Sequence, residues 1–237
     1  MSNVHLLEKL PRSERKLSKP RSIDIENQRI AREFGKEYFD GLREQGYGGY
    51  YYDGRWLPIA HDIVEHFQLK SGDKILDVGC AKGFLVKDLM KVCPGLDVFG
   101  LDISQYAIEC ADDEIKERLM QGTAKSLPFD SGSFQAVISI NTLHNLDRQD
   151  CILALKEIQR LSNGRAFVQV DAYNTQEEYE IFQGWVLTAL TYLKPDEWIE
   201  LFREAGYTGD YDWTILEVDP NINKFDVDIN ELGEKND

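Results

Sequence analysis

Residues 75–85 read ILDVGCAKGFL, and this stretch decides the fold. The run ILDV has the length and composition of a buried strand, and FL begins a helical pattern. Between them lie Gly79, Ala81 and Gly83, small residues that allow unusual backbone angles and close backbone approach. A strand, a small-residue turn and a helix in this order predict a ligand-binding turn at the carboxyl end of a strand in an α/β sheet.

Strand and helix patterns alternate after this turn. Strands are predicted at 74–78, 97–101, 117–121, 134–140 and 165–171, and helices at 83–92, 104–112 and 148–161. Such alternation is typical of a parallel sheet with helices on both faces, joined by right-handed crossovers. The predicted class is therefore α/β, with a doubly wound, mostly parallel sheet.

Further elements extend this core. Helices are predicted over 24–45, 57–69 and the aromatic-rich 175–192, another begins at Pro195 and ends before Gly206, and a strand is predicted at 211–218. The expected organisation is a flexible basic arm at 1–22, an N-terminal helix and a tyrosine- and glycine-rich lid at 23–60, a core at 61–218 and an acidic tail at 219–237.

The charge distribution argues against nucleic acid as a partner. The 237 residues carry a net charge of −15, but residues 1–36 hold nine Lys/Arg against five Asp/Glu, so they sum to +4 and the remainder to −19. A body this negative repels phosphate backbones. The basic start is either a solvated arm or a contact for an anionic partner, and a small-molecule substrate is expected.

The sequence also predicts a cytoplasmic protein without a metal site. No apolar run approaches the ~18 residues of a membrane span, and the first residues lack the apolar segment of a signal peptide. The four cysteines Cys80, Cys93, Cys110 and Cys151 are scattered without a C-x-x-C pair, which indicates neither zinc binding nor a disulfide framework.

Two acidic residues characterise the ligand of the turn. Asp77 lies two residues before Gly79, where its charge opposes a pyrophosphate and attracts an ammonium. Asp102 ends the second strand, where an acid accepts hydrogen bonds from ribose hydroxyls. A ligand with a ribose, a free amine and no phosphate fits both, and S-adenosylmethionine has these properties. We expect Lys82, within the turn, to face solvent.

These motifs resemble those of the class I S-adenosylmethionine-dependent methyltransferases. ILDVGCAKGFL is similar to their first motif and GLDIS, with Asp102, to their ribose-binding motif. GTAKSLPFDSGSFQAVIS at 122–139 and INTLHNL at 140–146 resemble the segments around their fourth strand. The resemblance covers about residues 60–171 and implies a Rossmann-like sheet of seven strands.

The resemblance also implies roles in holding the cofactor. The methionine part is expected to be held by Asp77 and by the backbone of Gly79, Cys80, Ala81 and Gly83. Asp102 is expected to bind the ribose, and Ile103 to lie against the adenine. The adenine edge is expected to contact Thr123 and Ala124, and the methionine side to contact Asn141. Three residues depart from the family pattern: Ala81 replaces a middle glycine, Gln135 replaces the common aspartate early in the fourth strand, and Thr123 replaces an aspartate that accepts from the adenine amino group. A hydroxyl accepts more weakly, so adenine affinity is expected to fall by roughly 1 kcal/mol.

Methyl transfer to a hydroxyl benefits from a general base with a pKa near 7, for which histidine is suited. His144 follows the fourth strand on the pocket side and is predicted to be the base, to orient the substrate, or to be a structural residue bonded to backbone. Asp171, at the end of the fifth strand, is the second catalytic candidate.

The segment GYGGYYYDGRW at 46–56 is the predicted lid. Glycine hinges and aromatic rings suit a loop that closes over a cofactor, and rings attract a sulfonium. Tyr51, Tyr52, Arg55 and Trp56 are the expected substrate or lid residues. Packing of an N-terminal extension is the alternative for some of these rings.

The expected reaction is methyl transfer to a small polar metabolite. Overall similarity to methyltransferases of saccharide and natural-product pathways favours a sugar or nucleotide-sugar hydroxyl or amine. Three alternatives stay open: a nicotinamide-dependent reductase, methylation of a protein side chain, and a non-catalytic cofactor-binding protein. The acceptor atom and the oligomeric state stay undetermined.

Overall fold

The computed structural model describes residues 1–10 and 24–215. Three helices precede the sheet: α1 (Ile25–Ala31), α2 (Lys36–Asp40) and α3 (Leu57–His66). The sheet region contains β1 (Lys74–Val78), α4 (Phe84–Val92), β2 (Asp97–Asp102), α5 (Gln105–Glu109), β3 (Leu119–Gln121), β4 (Ala136–Ile140), α6 (Arg148–Ser162) and β5 (Ala166–Asp171). It is followed by α7 (Gln176–Trp185), α8 (Pro195–Ala205) and β6 (Asp210–Thr214).

The strands form one parallel sheet in the order β3-β2-β1-β4-β5-β6. Each neighbouring pair is parallel, and the chain reverses its winding direction between β1 and β4. The predicted Rossmann-like class is therefore confirmed. The strand count is wrong: the described residues form six strands rather than seven, because β6 pairs directly with β5 and no strand enters between them.

Two apolar layers cover the sheet. Residues of α3 and α4 pack on one face with Ile75, Val98 and Ile138, and residues of α6 and α8 pack on the other with Leu76, Val137 and other side chains. Alternate side chains of a strand point to opposite faces, so each strand of the centre is apolar on both sides. This buried centre holds the strand ends, and thus the turns that follow them, in fixed positions.

Two predicted helices are shorter in the structure. The helix expected over 24–45 is divided into α1 and α2 because Phe34 adopts a positive φ of 49° before Gly35, which a continuous helix does not permit. The aromatic helix expected over 175–192 ends at Trp185. The helix from Pro195 ends as predicted, with Gly206 in the left-handed conformation at φ 69°.

The first ten residues are not a flexible arm. Val4 N–H donates to the Tyr211 carbonyl (2.9 Å), and Tyr211 N–H donates to the Ser2 carbonyl (3.0 Å), so the chain start continues the sheet beyond β6. Leu6 is buried in the apolar layer around α3. Backbone pairing at an exposed sheet edge outweighs the polar composition of this segment. Residues 11–23 and the predicted acidic tail at 219–237 lie outside the described residues.

Candidate functional site

The turn after β1 has the backbone geometry expected of a close-approach site. Gly79, Ala81 and Gly83 have positive φ angles of 86°, 51° and 75°. A Cβ on Gly79 would lie 2.0 Å from Thr142 Oγ1, so only glycine allows the turn to sit against the residue that follows β4. Gly79 N–H donates to the Leu101 carbonyl at 2.7 Å. The turn is thus fixed between the ends of β2 and β4, where the winding reverses.

Asp77 and Asp102, which we call the acidic floor, lie at the carboxyl ends of β1 and β2. Both are buried, with 4% and 8% of their surface exposed. Burial, reinforced by the charge of Asp102, raises the pKa of Asp77 to about 7. Burial also raises the pKa of Asp102, although the N–H groups of Ser104 and Ala81 donate to its carboxylate and oppose the shift. A cation that enters here would stabilise the ionised form of Asp77.

A cavity of about 350 Å³ opens above the floor. Nine of the ten residues predicted to bind the cofactor line it: Asp77, Gly79, Cys80, Ala81, Asp102, Ile103, Thr123, Ala124 and Asn141. Gly83 is the exception. It precedes the first residue of α4, and a Cβ there would lie 2.7 Å from the Ile115 side chain and 2.8 Å from that of Leu119 in β3, so its missing side chain allows close packing of the turn against this region.

Six aromatic side chains, here named the aromatic cap, form the opposite wall. They are Phe34, Tyr38, Phe39, Tyr47, Tyr50 and Trp56. The Tyr50 ring stacks on Phe84 (centroids 4.7 Å apart) and contacts Tyr47 (4.5 Å). Burial raises the pKa of Tyr50, which keeps this hydroxyl protonated at neutral pH. The cap is thus an interlocked set of rings without a charged side chain.

The predicted lid residues divide between the cavity and the surface. Trp56 lines the cavity, whereas Tyr51 is 74% exposed. The Tyr52 hydroxyl donates to Asp88 on α4 (2.6 Å), and Arg55 pairs with Asp53 (2.6 Å). Among the lid candidates, therefore, Trp56 alone contributes to the wall, and Tyr47 and Tyr50 of the same loop contribute two further rings.

The expectation that Lys82 faces solvent is wrong. Only 8% of its side chain is exposed, and Nζ lies 2.6 and 2.8 Å from the two carboxylate oxygens of Asp40. Nζ also donates to the Tyr50 carbonyl at 3.0 Å. The prediction failed because the partner belongs to α2, 42 residues earlier in the chain.

His144 and Asp171 are brought together as a pair. The N–H of Asp171 donates to His144 Nδ1 (3.1 Å), which leaves the ring proton on Nε2, 3.3 Å from the Asp171 carboxylate. The ring is 5% exposed, and neither residue lines the cavity. Leu190 and Thr191 donate N–H groups to the His144 carbonyl. Both ring nitrogens are thus used within the protein, where they hold the turn after β4 to the end of β5.

Sequence reasoning did not assign Phe34, Tyr38 and Phe39 to the site. Their aromatic character was visible in the predicted helix over 24–45, but the signal for the site was tertiary. The break after α1 turns these rings toward the sheet. Asn145 and Leu146 also line the cavity and follow the predicted Asn141 on the same turn.

The described residues provide neither a membrane-spanning helix nor a metal-binding cluster. No helix within 1–10 or 24–215 is long and apolar enough to cross a membrane. Over those same ranges, no group of three or more His, Cys, Asp or Glu side chains is arranged to hold a metal ion.

Comparison with known proteins bears on the family. Residues 76–168 match the model of the Methyltransferase domain family. A demethylmenaquinone methyltransferase of Staphylococcus carnosus is 35% identical over 104 residues, which cover 42% of each chain. A demethylmenaquinone methyltransferase of Lactococcus lactis is 31% identical over 169 residues, which cover 58% of this chain and 66% of that protein. The chain therefore spans less than two thirds of the length of these relatives.

A solved structure matches at a similar level. The match is to one chain of the complex between the Haloferax volcanii Trm112 methyltransferase activator and a methyltransferase. That chain is 26% identical in sequence, and the alignment has a TM-score of 0.51 and covers 65% of this chain and 73% of the other. The domain match includes the glycine turn and the acid at the end of β2. The resemblance inferred from the motifs is thereby confirmed: residues 76–168 form a methyltransferase domain of the class I fold, and the cofactor of this domain is S-adenosylmethionine.

Proposed function

We propose that this chain transfers the methyl group of S-adenosylmethionine to a small acceptor whose reacting part is a flat, largely apolar ring. One observation carries the proposal: a buried acidic floor and an aromatic cap enclose the same cavity of about 350 Å³. The floor matches the amine and the ribose diol of the cofactor. The cap matches a ring.

The floor residues fit the cofactor chemically. Asp77 is assigned its ammonium group, because a carboxyl with a pKa near 7 gains most from a cation beside it. Asp102 is assigned the ribose hydroxyls: backbone N–H groups orient its carboxylate, and two such donors leave further lone pairs available. Thr123 and Ala124 are assigned the adenine edge, and Asn141 the methionine side.

The bound cofactor supplies an electrophilic methyl group on a sulfonium. The chain itself has to align the acceptor in line with that bond and keep water out. Aromatic faces do both, because they pack on a ring and attract a cationic sulfur. Ring contacts join five of the six cap side chains, and a hydrogen bond joins Trp56 to Tyr50, which suits the cap to this task.

The charges around the cavity favour an uncharged acceptor. Among the lining residues that the structure describes, Lys125 is the cationic one, and its Nζ is already paired with Asp150 at 2.7 Å. A nucleotide-sugar would bring a diphosphate close to Asp77 and Asp102 without a free cation to bind it. The two relatives described above are named demethylmenaquinone methyltransferases, which supports a quinol-type ring as the first acceptor to test.

The test is a comparison of acceptors with the purified full chain, read as S-adenosylhomocysteine release. We expect turnover with a naphthoquinol that has an unsubstituted ring position, and at least tenfold less with a nucleotide-sugar or a mixed peptide substrate. Faster turnover on the sugar or on peptides would instead support the acceptors first predicted from the sequence. Cofactor binding without turnover on any of them would support a non-catalytic role.

The role of His144 has its own test. Its hydrogen bonds favour bracing of the turn after β4 over proton abstraction. His144→Asn retains an acceptor for the Asp171 N–H but removes the base, so we expect kcat within about threefold of wild type. Loss of a general base costs about 10²-fold or more, so a drop of that size in a folded variant would restore His144 as the catalytic base.

A further inference from the structure

Lys82 is a buried cation within the cofactor turn, and it joins that turn to the aromatic cap. It follows Ala81, whose N–H donates to Asp102 at 2.7 Å. Its own Nζ contacts both carboxylate oxygens of Asp40 and the carbonyl of Tyr50, a residue of the cap. The acidic floor and the cap are thus connected through two adjacent residues.

Asp40, the partner of Lys82, accepts hydrogen bonds from several segments. It is the last residue of α2, and it accepts from Lys82, from the Tyr50 N–H (3.1 Å) and from the Tyr106 hydroxyl of α5 (2.8 Å). Burial alone would raise the pKa of Asp40, but these hydrogen bonds outweigh it and leave the pKa lowered, so the carboxylate stays charged. Four separate segments therefore meet at one ion pair, here named the Lys82–Asp40 clasp.

Stability is a poor explanation for such a pair. Desolvation of two charges offsets most of their attraction, and apolar replacements of buried pairs are often neutral. Lysine is rarely buried unless it is paired. What a buried pair does provide is a defined geometry, because breaking it leaves an uncompensated charge. Here the geometry concerned is the position of Tyr50 and its neighbouring rings relative to the turn.

We propose that Lys82 is a positioning residue of methyl transfer. Through the Lys82–Asp40 clasp it holds the aromatic cap in a fixed position relative to the cofactor turn. The inference rests on the proposed function. Cofactor contacts come mainly from the floor and the turn, while alignment of the acceptor comes from the cap. Loss of the clasp therefore lowers kcat more than it weakens cofactor binding.

The variants are Lys82→Met, Asp40→Asn and the double variant, which leaves no buried charge unpaired. Arg160→Met is the matched control: Arg160 binds the Glu157 carboxylate and the carbonyls of Leu127 and Phe129, none of which lines the cavity. Since misplacement of about 1 Å costs on the order of 10²-fold in rate, we expect kcat to fall 10- to 100-fold in Lys82→Met. The dissociation constant for S-adenosylhomocysteine should change less than fivefold.

The double variant measures whether the two residues act as one unit. We expect its kcat to match that of the poorer single variant, because either change alone opens the clasp. Multiplicative effects in the double variant, or a kcat of Lys82→Met within twofold of wild type, would overturn the proposal. So would an equal loss of kcat in Arg160→Met.

Amide hydrogen exchange gives a readout that does not depend on turnover. The N–H groups of Tyr47, Gly49 and Tyr50 are hydrogen-bonded to Tyr38, Phe39 and Asp40 in the closed cap. We expect S-adenosylhomocysteine to slow their exchange in wild type and not in Lys82→Met, while β4 amides stay unchanged. Equal slowing in both proteins would contradict the coupling. If wild type transfers methyl to no acceptor, the proposed function fails, whereas the exchange result still decides whether the clasp couples turn and cap.

Discussion

The acidic floor and the aromatic cap enclose the same cavity, but different forces hold them in place. The floor stands at the ends of β1 and β2, where parallel backbone pairing and two apolar layers fix each residue. The cap stands on two short helices and a loop, held by ring contacts and by the Lys82–Asp40 clasp. We infer that the floor determines which cofactor binds, and that the cap determines how an acceptor is aligned.

The largest expected effect breaks the floor. Asp102→Asn removes the charge from the acceptor proposed for the two ribose hydroxyls, and each hydrogen bond to a charged group contributes about 1.5–3 kcal/mol. We expect the affinity for S-adenosylhomocysteine to fall about 100-fold, measured by titration calorimetry. Asp97→Asn, at the start of the same strand and paired with Arg118, is the control and should bind normally. Equal binding by both variants would remove Asp102 from the cofactor site.

A pH titration tests the other floor residue. With the pKa of Asp77 at about 7, an ammonium ligand binds its ionised form, so affinity should fall about eightfold from pH 7.5 to pH 6. Binding at pH 6 should release a proton, visible as a dependence of calorimetric heat on the buffer. Asp77→Asn should bind weakly with no such dependence. A flat wild-type profile would contradict the assignment of the ammonium to Asp77.

Without ligand, the raised pKa of Asp77 gives the opposite pH dependence: the free energy of unfolding falls as the pH rises, whereas ligand affinity increases. The pKa of Asp77 is higher in the folded chain than in the unfolded chain, where it is near 4. Its contribution to the free energy of unfolding is therefore fully present below pH 4 and is lost as the pH rises through 7. Comparing the thermal midpoints of wild type and Asp77→Asn between pH 5 and pH 8 isolates this term.

Substitutions in the cap are expected to have smaller effects, and to lower kcat/KM for the acceptor rather than cofactor affinity. Trp56→Leu removes a ring that lines the cavity and is hydrogen-bonded to Tyr50, so kcat/KM for the acceptor should fall five- to tenfold with little change in cofactor affinity. Tyr51→Leu alters a ring that is 74% exposed in the same loop and should stay within twofold. A similar loss in both variants would mean that the loop, rather than its inward rings, is what matters.

The contrast also explains what the sequence could predict. The floor and the turn beside it depend on local signals, namely apolar strands, small residues in a turn and acids at strand ends, and nine of the ten residues predicted to bind the cofactor line the cavity. The cap depends on which ring of a tyrosine run turns inward. Gly48 and Gly49, at φ 70° and 112°, help to set the path of the loop, and the clasp ties down Tyr50; Tyr51 points outward.

Long-range contacts account for the other failures. Pairing of Val4 with Tyr211 and the Lys82–Asp40 contact join segments that no local pattern relates. The division between α1 and α2 depends on Phe34, a bulky residue at φ 49°, a conformation that is rare outside glycine and asparagine. Such choices follow from packing against the finished sheet, so a single sequence read locally does not contain them.

The smallest expected effect concerns Ala81, in the turn beside the floor. Ala81 replaces a glycine common in the family and adopts φ 51°, where its Cβ is strained. Ala81→Gly relieves that strain but adds freedom to the unfolded chain, so the net gain in the free energy of unfolding should be about 0.5–1 kcal/mol. Ala60→Gly, inside α3, should instead lose about 1 kcal/mol from helix propensity and a further amount from the loss of a buried methyl group. Urea unfolding measures both, and because Asp102 still accepts the N–H of residue 81, cofactor affinity should not change. A loss of stability in Ala81→Gly would mean that its methyl group packs usefully, and that the turn is held by side-chain contacts as the cap is.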